Sequence, residues 1–161
     1  RSKASRSRPT SSCLHNMALS IRFVEQAYVN QTWPLIEKFI TEALEKTGGG
    51  DFPEWAANYN VEHIRVFVST GTWLLVVAVD ETGVIHGACT VSFLNYPLHR
   101  VAFVTAIGGK LISSKETFAQ FKQLLKSYGA TKIQGVGRES IVRLWKRYDF
   151  EPRNTLVEVL L

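Results

Sequence analysis

Three apolar runs in the middle of the chain most restrict what it can become. TWLLVVAVD (72–80), VIHGACTVSFLNYP (84–97) and HRVAFVTAIGGKLI (99–112) follow one another with only short polar breaks. Each is rich in β-branched and aromatic residues and bounded by turn formers, so each reads as a strand. The break ETG (81–83) is short enough for a hairpin, which makes the first two antiparallel neighbours. Gly108 and Gly109 weaken the middle of the third run and predict a bulge or splay there. The longest unbroken apolar stretch, Trp73 to Val79, falls far short of the roughly 20 residues of a membrane helix, so the chain reads as soluble.

Other periods flank these strands. SIRFVEQAY (20–28) alternates through Ile21, Phe23 and Val24 and predicts a first strand. TWPLIEKFITEALEKTGGG (32–50) then places Leu35, Ile36, Phe39, Ile40, Ala43 and Leu44 on one helical face, with Thr32 as N-cap, Pro34 in the first turn and a stop at Gly48. After the loop DFPEWAANYN, VEHIRVFVST (61–70) predicts a shorter helix with Val61, Ile64, Phe67 and Val68 inward. Ser113 and Glu116 have capping-box spacing, and Phe118, Phe121, Leu124 and Leu125 follow on one side until Gly129. ATKIQGVGR predicts a short strand, ESIVRLWKRY a short helix and NTLVEVLL (154–161) a last strand. The expected order is β-α-α-β-β-β-α-β-α-β: an α/β (α+β) domain with a mixed, mostly antiparallel twisted sheet and helices on both faces.

Charge divides the chain. Residues 1–17 carry Arg1, Lys3, Arg6 and Arg8 with no acid and one leucine, too little apolar surface to offset chain entropy. They are expected to form a basic, disordered tail, and 18–161 a single domain. The tail is open to several readings: a cloning remnant, an upstream translated stretch, a transit peptide, or an arm for nucleic acid or a partner. The domain is acidic in its first half and basic in its second, which favours a local anionic ligand on the second half over a general nucleic-acid coat. Cys13 and Cys89 have neither a disulfide framework nor a metal-ligand spacing and read as free thiols.

VRLWKRYDFEP (142–152) carries the most specific likeness. Leu144, Trp145, Asp149 and Phe150 fall where the GNAT (GCN5-related N-acetyltransferase) superfamily has a pattern resembling L-Y-x-x-x-G-F before its last strand, and VIHGACTVSF resembles that family's strand with a glycine after a hydrophobic pair. The chain thus resembles a divergent GNAT protein over about 140 residues of element order. The resemblance implies Phe150 buried under the sheet and acyl transfer from acetyl-CoA to an amine in a ternary complex. Backbone groups of Ala106, Ile107, Gly108, Gly109 and Lys110 would hold the pantetheine arm, and Ser113, Ser114 and Lys115 the pyrophosphate. Arg138 is the further cation expected at the phosphates.

Two departures qualify this. The Q/R-x-x-G-x-G/A phosphate loop is absent, with GGKLISSKETF in its place. Trp145 stands where many members have the tyrosine that protonates the leaving thiolate, and an indole N–H cannot do that work. Tyr148, one turn on, is the substitute acid. For a base the sequence offers Glu54, with Asp51 beside it near Trp55 and Tyr59, and His63, His86 and His99. GVGRES (135–140) reads as a turn rather than a nucleotide loop.

Two functions stay open: a GNAT-type N-acyltransferase using acetyl-CoA on a small-molecule or protein amine, or a catalytically degenerate GNAT-like structural or interaction protein, resembling those of tailed bacteriophages. No metal or membrane is implied, nucleic acid only by the tail. The expected location is cytoplasmic, or a host cytoplasm or virion for a phage protein. An edge position for the last strand would make it a dimer contact.

Overall fold

The computed structural model describes residues 18–48 and 58–161, so the tail and Glu54 with its loop lie outside the described residues. Five strands form one sheet in chain order: β1 (Ser20–Phe23), β2 (Leu74–Val79), β3 (Ile85–Asn95), β4 (Arg100–Gly109) and β5 (Lys132–Gly135). The first four are antiparallel neighbours and β5 runs parallel to β4. Between β2 and β3 the turn is held by Asp80, whose Oδ1 accepts from the Thr82 and Val84 N–H groups, with Gly83 at φ 88°.

Helices cover both faces. On one, α1 (Val29–Gly48) and α2 (Val61–Ser69) bury Trp33, Ile36, Ile40, Ile64 and Val68 against Leu75, Val77, Ala88 and Ala106. On the other, α3 (Lys115–Ser127) buries Phe118, Phe121 and Leu125 against Val76, Cys89, Val91, Ala102 and Val104. Strand alternation sorts neighbouring side chains to opposite cores. Full burial of side chains of this size contributes about 1.5–3 kcal/mol each. Gln120 ties α3 to β1, accepting from Ile21 N–H and donating to the Leu19 carbonyl. Cys89 is buried, which pushes its thiol pKa up and leaves it unreactive.

Several expectations are corrected. The first strand stops at Phe23, and a 3-10 turn (Gln26–Tyr28) feeds α1 directly. The helix therefore starts at Val29, Thr32 is not its cap, and Pro34 lies a full turn inside it. Pro34 deletes one i→i−4 bond, which a 20-residue helix with a deep apolar stripe absorbs. Leu35 points to solvent. Ser114, not Ser113, caps α3, and its capping-box partner is Thr117 rather than Glu116. At the other end Gly129 at φ 84° closes the helix, with Ala130 N–H on the Leu125 carbonyl and Gly129 N–H on that of Lys126. A last helix, α4 (Glu139–Lys146), follows β5, but the expected final strand is not formed. Residues 151–161 have no regular secondary structure and are exposed throughout, because no strand lies beside them. Phe150 is half-buried against Phe118 and Trp145 rather than buried under the sheet.

No helix among the described residues is long and apolar enough to cross a membrane.

Candidate functional site

The site begins with a fault in β4. Thr90 pairs with Ala106 and Val91 with Val104, so Thr105 is the extra residue of a β-bulge. The bulge is at Thr105, not at the Gly108–Gly109 pair, which closes the strand. Its polar groups are satisfied. The Thr105 hydroxyl donates to the Thr90 carbonyl at 2.9 Å, so the Thr90 hydroxyl, 2.7 Å away, donates to it in turn. The Tyr59 phenol donates to the Thr105 carbonyl at 2.9 Å, and burial raises its pKa. Tyr59 itself stands edge-on to Trp73.

β5 pairs with β4 only as far as Val104 and Gly135. Beyond the bulge, Ala106 to Gly109 keep β3 on one side and, among the described residues, have no strand on the other. The two parallel strands thus open as a V, and a cleft of about 200 Å³ lies at its mouth. Ile107, Gly108 and Gly109 form one wall, and α4 with the residue chain after it gives Trp145 and Tyr148 on the other. Glu42 and Lys46 reach it from the end of α1. Gly108 must be glycine, because a Cβ there would run into the Phe39 carbonyl of α1. The close approach of helix and strand sets the depth of the wall.

Tyr148 lines this cleft and packs against Phe118 with its ring tilted by 55°, 5.2 Å between ring centroids. Trp145 fills the apex, its indole against Gly135. Of the expected cofactor residues, Ile107, Gly108 and Gly109 line the cleft, while the Ala106 side chain points into the α1 core. Lys110 is exposed beyond the strand, its N–H on the His86 carbonyl. Ser113, Ser114 and Lys115 are exposed at the start of α3, but the N–H groups of Ser113 and Ser114 both donate to the Thr117 hydroxyl at 3.1 Å. That leaves the Lys115 and Glu116 N–H groups, the Ser113 hydroxyl and the Lys115 ammonium as the donors free for an anion. Arg138 is exposed at the N-cap of α4 and does not line the cleft.

The histidines are explained locally. His63 completes the α2 capping box, accepting from Asn60 N–H. His86 Nε2 lies 2.7 Å from Asp80 Oδ2 at the hairpin, and His99 bonds Thr131. None lines the cleft. Glu42 and Lys46 were missed by sequence reasoning because they sit on the polar face of an amphipathic helix, where charge normally means solvation; their i,i+4 spacing near a helix end was the available signal. No group of three metal-ligating side chains occurs among the described residues.

Comparison with family models and with curated proteins gives no match. Solved structures do match. An aminoglycoside acetyltransferase, HMB0005, from an uncultured soil metagenomic sample superposes with a TM-score of 0.60 at 14% identity, covering 90% of this chain and 99% of that one. The BH1408 protein of Bacillus halodurans, as a tetramutant, gives 0.59 at 15% identity over 88% and 99%. A predicted acetyltransferase of Clostridium acetobutylicum, solved with acetyl-CoA, gives 0.56 at 12% identity over 89% and 96%. At such identities the likeness is one of architecture, and this chain has the GNAT-like fold.

Proposed function

We propose that the chain is a GNAT-type N-acyltransferase that transfers an acetyl group from acetyl-CoA to an amine. The observation that carries this reading is the V between β4 and β5, with the free edge of Ala106–Gly109 along an apolar cleft. Such an edge can hydrogen-bond the amides of a pantetheine arm as it would another strand. At the phosphate end the fit rests on Lys115 and the unpaired N–H groups opening α3, with Arg138 as the outlying cation. The coenzyme supplies the acyl group as a thioester.

In this reading Tyr148 supplies the proton that the departing sulfur takes up as the C–S bond breaks and the N–C bond forms. Glu42, which lines the same cleft, takes the proton the acceptor nitrogen gives up, and Glu54 is the alternative carboxylate. Lys46 at the same mouth disfavours an acceptor that carries a second cationic group beside the reacting amine.

The test is binding of acetyl-CoA, CoA and ATP followed by thermal shift. A ligand at a hundred times its Kd adds about 2.7 kcal/mol to stability. Stabilisation by both coenzyme forms but not ATP, lost in Lys115→Glu, is expected. Tyr148→Phe is expected to keep binding and lower kcat by about 10²–10⁴-fold. No shift at millimolar coenzyme would overturn the reading.

A second reading has its own observation. Trp145 occupies the apex of the V, and the Thr117 hydroxyl takes two N–H groups that a phosphate would use. A protein that keeps the fold as an interaction module, a virion component among the possibilities, has no need of either group being free. Failure of coenzyme binding together with activity-independent assembly would favour it.

A further inference from the structure

We propose that residues 154–161 add as a strand to the free edge of β5 in a second copy of this chain, so that two copies exchange these segments. NTLVEVLL is strand-like in composition, yet it leaves Leu156 75%, Val157 85%, Val159 80% and Leu160 57% exposed. A run of large apolar side chains so exposed marks an interaction site. The place it fits is on the same molecule. Among the described residues β5 is the last strand of the sheet and pairs only with β4, so one row of its backbone groups has no strand beside it.

The core next to that edge is also unfinished. Ile133, Tyr148 and Phe150 pack against the α3 core but remain half-exposed at its rim, and an added strand would lay its apolar side chains over them. Eight residues span about 26 Å as a strand, enough to cover the whole of β5 and run past it. Charge agrees with the pairing. Glu158 is the single charged residue of 154–161, whereas the β5 edge offers Lys132 and, just beyond it, Arg138. Both cations are exposed, and neither has an ion-pair partner among the described residues.

The segment's own geometry favours a second copy over return to its own β5. Phe150, held on Phe118 and Trp145, anchors the point of departure. Pro152 then disfavours a helical Glu151 and keeps the exit extended. Carrying both the unpaired edge and the unpaired strand, the chain is self-complementary, and an exchange of identical segments closes as a twofold dimer.

The test uses the full chain in a Cys13→Ser background. Light scattering after size exclusion is expected to give twice the chain mass, and Leu156→Glu with Leu160→Glu is expected to return it to one chain that keeps its far-UV circular dichroism and a cooperative melt. Its unfolding midpoint is expected to fall and to become independent of chain concentration, since the exchanged strand no longer covers the rim, while the retained circular dichroism separates loss of exchange from loss of fold. Two proteins with one introduced cysteine each beside the buried Cys89, Gln134→Cys and Val157→Cys, refolded together under reducing conditions and then mildly oxidised, are expected to give a linked pair containing one of each. A single-chain mass up to about 200 µM overturns the proposal. A dimer that survives the double glutamate variant overturns it as well. So does a chain bearing both cysteines that closes on itself as a linked monomer.

Discussion

Phe150 donates its backbone N–H to the Trp145 carbonyl at 3.3 Å, reaching back across Asp149, which stands at φ 64°. With Asp149 N–H on the Lys146 carbonyl at 3.2 Å, the pair ends α4 as a Schellman motif whose left-handed residue is an aspartate. Related patterns put glycine there, and the geometry shows why: the position is left-handed, and it turns the chain so that Phe150 falls back on Trp145.

Asp149→Gly is therefore expected to raise stability. A left-handed residue with a Cβ costs roughly 1–2 kcal/mol, aspartate less than most, and glycine's freedom in the unfolded chain returns part of the gain. The net is expected at about 0.5–1 kcal/mol, read as a higher urea midpoint at unchanged m. A lower midpoint would mean that the Asp149 carboxylate holds something the backbone geometry does not reveal.

Gly135 and Trp145 are the next coupled pair. A Cβ on Gly135 would lie 2.7 Å from the indole edge, closer than carbon atoms pack. Gly135→Ala is expected to cost about 1–3 kcal/mol through overpacking. In Trp145→Phe the smaller ring leaves room for the methyl, so the double variant should lose less than the sum of the singles. A double-mutant cycle on denaturant melts checks it, and additivity would show that the two do not touch in solution.

The architecture was legible where one local signal decided the outcome. Apolar runs rich in β-branched residues and bounded by turn formers named three strands in 72–112, and the spacing of Phe118, Phe121 and Leu125 named a helix face, because buried side chains must follow the period of their element. It was less legible where two local signals competed. Ser113 and Ser114 both precede a helix with an acceptor three residues on, and only the packing of Thr117 at 3% exposure selects the second. Pro34 looked like a first-turn residue because nothing in the sequence marks the 3-10 turn before Val29. In the cleft, Gly108, Gly109 and Tyr148 were readable from a family likeness. Thr105 was not, since a bulge is a mismatch in count between two strands and neither strand shows it alone. NTLVEVLL has the composition of a strand, but a strand needs a neighbour, which composition does not supply.

Tyr59 tests the bulge. Its phenol donates to the Thr105 carbonyl while its ring stays on Trp73, so Tyr59→Phe removes one hydrogen bond and little packing. The expected loss is about 0.5–1.5 kcal/mol. Faster amide exchange should be confined to Thr105 and its neighbours on β4, where the V opens. If coenzyme binds as proposed, the variant should weaken it as well, because the freed carbonyl no longer holds the strand apart. Unchanged exchange across β4 would show that the threonine pair holds the bulge unaided.

Asp80 supplies a pH dependence of definite sign. The hydrogen bond with His86 lowers its carboxyl pKa most, followed by that of the Thr82 hydroxyl; the Val84 and Thr82 N–H groups act the same way, and burial opposes them. Its folded pKa thus lies far below the usual carboxylate range, while in the unfolded chain it is about 3.9. Below roughly pH 5 the unfolded chain takes up a proton that the folded chain refuses, so the stability Asp80 contributes is full above that range and falls as the solution is acidified. Asp80→Asn should be less stable than the parent at neutral pH, and its deficit should shrink steadily as pH falls towards 3. Urea midpoints measured every half unit between about pH 7 and 3 decide it. Parallel curves would mean that the carboxylate is as easily protonated in the hairpin as in the open chain, and that the four bonds drawn to it are not made in solution.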